Sequence, residues 1–525
     1  MTKTRGTAGQ RRRAAELIRL ARAEFKGSLE NGRDLKLGEV KMLRGAAMGE
    51  MVDLTSKVGE DQVVRSSWTE WGAHRIIRSA ILRWVSSTNQ AKQLVDPYGI
   101  RLQFAKIINR LVLDGVEISF PFWLSHCAVP DGITAPNAKF AELGLNGSFV
   151  KDIYADGAIV AGSLNLRHGF YATGEVHILG VQIGGDLDCS DGSFENSDGD
   201  ALSADRVRVM GDVSLADDFH SKGNVRFLGA IIQGDLTLGG IYKKQVQLGR
   251  IQVRGTIFYR SVGVVGSVDL TSARIGYLVD VLSDWPKNMW LTDFEYKGIH
   301  PHYIGKLHNR LAWLASHDST CANLNRFDPQ PYRQLAKVLR HSGYDQFADS
   351  VMYEASKKSA ASRIHRQREQ GTLVDTALAW VLIVLNALYI GLVGHGYKRI
   401  RPFVWMFVFV VIGGFIFSGF RFGDFFGGAN PTPSAMQQTQ GLAIKNAQAS
   451  DVDERVWVKD YPAFRPLAYS ADAFLPLVNL HQESYWTPKD SWVKSFYLPF
   501  HILGGWVVTT LAAVSVTGLV RHEKE

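Results

Sequence analysis

Near the end of the chain, Asp472, Asn479, His481, Gln482 and Glu483 crowd one short stretch, set among Phe474, Leu475, Leu477, Val478, Leu480, Tyr485 and Trp486. Carboxylates, amides and an imidazole among so many apolar side chains suit two kinds of work. An amphipathic, aromatic-rich segment beside a membrane lies in the headgroup layer. Alternatively, polar residues near apolar helices line a path between them, where ionisable groups are costly and tend to be functional. The aromatic content favours anchoring. His501 follows inside an apolar run with Thr509 and Thr510, hydroxyls of a kind that bond helix carbonyls in such runs.

Other chemical groupings are weaker. His300, His302 and His308 have the imidazoles for a zinc site, yet no carboxylate or cysteine is spaced to orient them, and loop histidines are more often solvated. Asp186, Asp188, Asp212, Asp217, Asp218, Asp235 and Asp269 would supply carboxylate pairs for sugar hydrolysis. Most of them follow a glycine or stand on alternate strand positions, where charge keeps a surface soluble. Cys127, Cys189 and Cys321 are odd in number and far apart, which excludes a disulfide framework and fits a reducing compartment. No Gly-x-Gly-x-x-Gly, Cys-x-x-Cys or phosphate-cradling GxxxxGK[ST] is present. The residues therefore assign no catalytic group, cofactor or metal.

The elements that position these groups begin with a repeat. The phrase Gly-x-apolar-x-apolar recurs as GSLNL from Gly162, GEVHI from Gly174, GDLDC from Gly185, GDVSL from Gly211, GNVRF from Gly223, GDLTL from Gly234, KQVQL from Lys244, GTIFY from Gly255 and GSVDL from Gly266. It returns about every eleven residues, with one longer gap holding a degenerate copy around Ala201–Val209. Alternation over five residues is a strand too short to bury itself, so successive copies must stack as the coils of a β-solenoid. Two phrases per coil predict a flattened coil of about 22 residues. Glycine at each corner admits a turn that a Cβ would obstruct.

The 525 residues have room for two to four domains. Residues 1–99 read as an N-terminal helical cap, because an open solenoid end would expose apolar interior and unpaired strand edges. The solenoid occupies 100–281, followed by an irregular connector over 282–326. A helical hairpin and basic collar fill 327–370, with Gly343 between the helices and Lys357, Lys358, Arg363, Arg366 and Arg368 ready to face lipid headgroups. Residues 371–525 form a membrane region, with uncharged or nearly uncharged runs near 373–394, 402–420 and 496–520, each long enough to span a bilayer.

The net charge of +8 is modest for this length and makes nucleic acid an unlikely partner, although residues 1–31 are locally basic. The first 31 residues hold no apolar leader. With a cytoplasmic N-terminus, eight near-membrane basic residues lie inside and five outside, the sense that the positive-inside rule favours.

Several segments, GEVHILGVQIGGDLDCSDGSF (174–194), FDPQPYRQLAKVLRHSGYDQFA (327–348), GHGYKRIRP (394–402), YSADAFLPLVNLHQESYWTP (469–488) and GGWVVTTLAAVSVTGLVR (504–521), together resemble one bacterial family. Its members join pentapeptide-like β-helical repeats to C-terminal membrane helices and are often labelled "membrane-associated oxidoreductase". The resemblance implies a right-handed β-solenoid capped by α-helices, then a helical hairpin and an α-helical membrane region, in the bacterial inner membrane with its N-terminal domains cytoplasmic. An oxidoreductase must hold a redox group, and no motif for one is found. The expected function is a membrane-anchored scaffold or sensor that binds a protein partner or self-assembles. A channel or permeabilising effector gated by the solenoid is the alternative, and the oxidoreductase of the label a further one.

Overall fold

The computed structural model describes residues 7–29, 34–55, 68–264, 266–321, 327–369, 380–384, 387, 391–392, 394, 400–418, 431–433, 464–488 and 492–517. Residues 1–351 and 352–525 form two compact units.

The first unit is a parallel β-solenoid of nine coils. Its clearest ladder stacks nine strands, from Leu111–Val112 to Asn288–Trp290. In register, Ile153 lies beneath Val176, Leu202, Val225, Val246, Val268 and Met289, so successive coils take 23, 26, 23, 21, 22 and 21 residues. Leu202 occupies the rung expected of the degenerate copy. The longest coil holds its extra residues between Phe194 and Leu202, in the turn at 195–199 and in a one-residue bulge between Asp200 and Leu202.

Each coil has four sides, where the repeat phrase alone predicted two. Through one coil they are Phe149–Val150, Ile153–Tyr154, Ile159–Val160 and Leu164–Asn165, called here the first to fourth sides. The phrases occupy the second and fourth; the first and third hold less uniform pairs such as Tyr171–Ala172 and Gln182–Ile183. Every inward residue of the second-side ladder is buried, and each contributes about 1.5–3 kcal/mol by leaving water. Phe170, Phe194, Phe219 and Tyr242 stack through the interior with ring centroids 5.2–5.4 Å apart, adding about 0.5–1.5 kcal/mol per pair.

The corner before the fourth side explains both the glycines and the aspartates. Asp186 Oδ1 accepts the backbone N–H of Asp212 (2.8 Å), Asp212 Oδ1 that of Asp235 (2.8 Å), and Asp235 Oδ1 that of Thr256 (2.7 Å). These carboxylates bond the coil above. At Gly234 a Cβ would collide with the Asp212 carboxylate and stand 2.7 Å from the carbonyl oxygen of Gly211. Close approach, more than backbone freedom, requires glycine there.

Both ends are covered by helices, each pinned by a buried ion pair. At the first end lie α1 (Ala8–Glu24), α2 (Leu37–Met48) and α3 (Ser79–Ser87). Thr7 caps α1 in a capping box with Gln10, and Ala14, Leu17 and Ala21 form its buried stripe. The fully buried Glu39 of α2 takes both Arg78 Nε and Nη2 at 2.8 Å. The expected cap of 1–99 is not wholly helical. Val52–Asp53 and Ile76–Arg78 are strands paired to Ile100–Gln103 and Lys106–Ile108, so the ladder starts earlier than residue 100.

At the other end the ladder passes the expected limit of 281. Asn288–Trp290 and Glu295–Ile299 add further rungs, and the rest of the connector holds α4 (Leu307–Cys321). Trp285-Pro286 interrupts the alternation only briefly. The last strands would expose backbone groups, and side chains from α4 and α5 (Gln330–His341) take them. Thr320 Oγ1 and His317 Nδ1 accept the N–H groups of Met289 and Leu291, both at 3.1 Å. Gln330 and Gln334 donate to the carbonyls of Phe294 and Tyr296. Beneath α4, Arg310 makes a bidentate pair with Asp280 (2.7 and 2.8 Å) and donates to the carbonyls of Tyr303 and Ile304. Trp285 Nε1 also donates to Asp280 (2.8 Å) while its ring stacks on Tyr259.

The hairpin is present as α5 and α6 (Asp345–Glu369), joined through Gly343 at φ +82°. In the second unit α7 (Arg401–Phe417), α8 (Pro466–Phe474) and α9 (Leu498–Thr517) pack together. Among the described residues one helical stretch, Ser495–Val514, is long and apolar enough to cross a membrane; α7 is apolar and shorter. Most of the run near 373–394 lies outside the described residues.

Candidate functional site in the apolar helices

The three helices of the second unit meet closely because small residues stand at their crossings. A Cβ on Gly413 of α7 would come within 2.7 Å of the His501 ring, and one on Gly505 of α9 would come within 2.6 Å of the Phe474 carbonyl carbon. Helices associate this way where packing rather than water drives them together.

Into this junction α8 sends Ser470 and α9 sends His501, both fully buried. Ser470 Oγ donates to the carbonyl of Val410 on α7 (2.8 Å). Its one proton thus committed, the hydroxyl accepts from His501 Nε2 at 3.1 Å, which assigns the ring proton to Nε2. Nδ1 is left to accept from Tyr497, one turn earlier, at 3.4 Å. The relay Tyr497, His501, Ser470, Val410 crosses all three helices. Rings of Phe417 and Phe474 stand 5.7 and 5.1 Å from the imidazole.

A serine beside a histidine suggests a nucleophile and its base. Here the hydroxyl proton points to a helix carbonyl, and the histidine donates to the oxygen instead of drawing its proton. The pair is arranged as a latch, not for attack.

The block before α9 divides by role. Asp472 accepts the N–H groups of Leu480 (2.6 Å) and Glu483 (2.8 Å), folding the chain back beside α8. Asn479 Oδ1 accepts from His481 N (2.9 Å), and His481 itself has φ +59°. Gln482 Oε1 accepts from Arg465 N (3.1 Å). These contacts shape a turn after Phe474, and a single helical turn, Gln482–Tyr485, follows it, so the amphipathic segment is two short helices instead of one continuous one. Trp486 packs with Phe417, Tyr469 and Val493. His481 and Glu483 remain exposed; partial burial, then the Asp472 charge, raises the Glu483 carboxyl above its ordinary value. Burial, then the charges of Glu483 and Asp472, pushes the Tyr469 phenol up.

On α6, Lys357 lies 4.0 Å from Glu354, and Arg363 is exposed. Lys358 belongs to the same helix, while the side chains of Arg366 and Arg368 lie outside the described residues. His300 and His302 flank the Tyr303 ring, and among the described residues no three potential ligands converge on a metal position. The solenoid's two described cysteines are buried. Burial pushes Cys127 up to about 12 and Cys189 well above its usual value.

Fold and site together define a capped β-solenoid joined to a cluster of apolar helices. Against known proteins the chain matches no family, no curated protein and no solved structure.

Proposed function

We propose that this chain is a scaffold or sensor held at the bacterial inner membrane, with a cytoplasmic solenoid that binds a protein partner or a second copy of itself. The observation that carries the reading is the joining of a capped nine-coil solenoid to the apolar stretch 495–514. Three spans, near 373–394, 402–420 and 496–520, anchor it, with Lys357, Lys358, Arg363, Arg366 and Arg368 against the headgroups. Supporting this, the polar groups with the best geometry for chemistry are engaged in structure: the corner aspartates on the next coil, Asp280 on Arg310, and Ser470 on Val410. A solenoid so occupied presents surface instead of a reaction centre.

The test uses membranes of expressing cells. The full chain stays in the pellet after an alkaline wash, and cross-linking captures one stoichiometric partner, which is lost when residues 34–341 are removed. Release by alkali, or retention of the same partner without those residues, defeats the reading. Ion flux through reconstituted vesicles that is abolished by His501→Leu replaces it with the channel.

A further inference from the structure

Between its acidic rungs at Glu117 and Glu295, the solenoid's third side has a stretch whose charges are all of one sign. Of the ten arginines between residues 100 and 299, most have a partner: Arg110 pairs with Asp152, Arg167 with Asp188, Arg226 with Asp200 and Asp205, and Arg274 with Glu295. Arg101 bonds the Gly49 carbonyl and Arg260 lies over Phe258. The remaining four, Arg206, Arg208, Arg250 and Arg254, are exposed and make no side-chain ion pair among the described residues. All four stand on the same side.

Their placement follows from the register. Arg208, Ile231, Gln252 and Arg274 are consecutive rungs, and Arg254 lies two residues beyond Gln252 on the same outward face. Arg206 and Arg250 sit at the preceding corner with φ of +58° and +60°. Neighbouring strands are about 4.8 Å apart, so the two arginine pairs face each other across roughly 10 Å. Between them runs a neutral coil, Gly229, Ile231 and Gln233. Over the five coils from Gly180 to Gly276 this side carries five arginines and no acidic residue at its outward positions. Asp186, Asp212 and Asp235 at the adjoining corner turn onto backbone N–H groups, Asp205 before Arg206 is held by Arg226, and Asp269 near Gly249 accepts the N–H of Thr271. The second side is the opposite in character, with Asp152, Asp156, Glu175, Asp200 and Asp205 in its vicinity.

We propose that this arginine face docks the solenoid on an anionic bilayer surface. The occupant is argued from charge complementarity with lipid phosphates, from arginine's forked match to them, and from Met210, 63% exposed beside Arg208 as an apolar contact for the headgroup layer. It rests on the membrane-anchored reading: a chain already tethered by its apolar helices needs only a weak second contact to lie down.

The experiment places a polarity-sensitive dye on full-length Met210→Cys, with Cys321→Ser, in vesicles of phosphatidylcholine alone or with phosphatidylglycerol added. Each basic residue near such a surface is worth about fivefold in occupancy. Quenching by an aqueous reagent therefore falls at least tenfold in the anionic vesicles, recovers in high salt, and recovers in Arg206→Glu/Arg208→Glu/Arg250→Glu/Arg254→Glu with its circular dichroism unchanged. Equal quenching in both vesicles, or protection surviving charge reversal, overturns the proposal. So does equal protection by inorganic phosphate or a short oligonucleotide in detergent without vesicles, which would mark a site for free anions or nucleic acid. Alkaline washing of the same vesicles tests the anchoring separately. If alkali strips the chain, the anchoring reading fails while the quenching comparison still decides the arginine face.

Discussion

Replacing Asp280 by alanine should unravel the solenoid from its C-terminal end and leave the other end intact. Asp280 is essentially inaccessible, and so is Arg310, whose guanidinium gives it two hydrogen bonds of 2.7 and 2.8 Å. Removing one partner of a buried pair strands the other charge at a cost of about 3–5 kcal/mol. Trp285, itself partly buried, loses a 2.8 Å acceptor as well, about 1 kcal/mol more. In a solenoid each coil contacts only its neighbours, so this loss stays local at first. Hydrogen exchange followed by mass spectrometry reads it directly. Amides of Arg274–Asp280 and Glu295–Ile299 should exchange roughly 100-fold faster or more, while Leu111–Val112 and Ile133–Thr134 keep their protection. Asp280→Leu with Arg310→Met should recover much of the loss, because two apolar residues leave no buried charge. Unchanged exchange in Asp280→Ala, or a double variant worse than the single one, would refute the view that the pair pins the cap.

Three other outcomes are expected. Gly234→Ala should cost about 1–3 kcal/mol through overpacking, and Asp212→Ala placed with it should relieve part of that by removing the carboxylate in the way, as urea unfolding of each variant will register. Cys127 and Cys189 should resist an alkylating reagent at neutral and mildly alkaline pH, because the thiolate forms only as pH rises through a raised value; denaturant should make both react, and labelling of the folded chain at pH 8 would contradict their burial. His501→Leu should leave Ser470 one donor short but its own proton still satisfied, so packing of α7, α8 and α9 weakens by about 1–2 kcal/mol; a thermal transition in detergent unmoved by it would show that the latch carries no stability.

The parts of the architecture that were readable from residues are those where one side of the coil uses one type of residue. Phrases such as GDVSL and GNVRF mark the fourth and second sides because glycine and two alternating apolar residues recur there. The first side stacks Tyr171–Ala172, Ser193–Phe194 and His220–Ser221, pairs with no shared chemistry, and only backbone pairing brings them into one ladder. The last coil was hidden for a similar reason. Met289, Leu291, Phe294 and Tyr296 supply its interior, but no corner glycine announces it. In the helices, His501 stood out as an ionisable group in an apolar run, and Tyr497 four residues before it shares its helical face. Ser470 carried no signal, since 31 residues separate it from the imidazole it accepts from. The arginine face was equally invisible, because Arg208 and Arg254 become neighbours only after two coils have closed between them.

The corner column of Asp186, Asp212 and Asp235 also makes coils interchangeable. Each carboxylate needs only an N–H one coil onward, and Val213 and Leu236 hold equivalent rungs 23 residues apart. Excising residues 211–233 would join Met210 to Gly234 and set Asp235 over Asp186 in place of Asp212. Neither helical end would register the change. The protein's length is thus a variable that whole-coil duplication or loss can adjust in steps of about 4.8 Å, while the chemistry that terminates it stays constant.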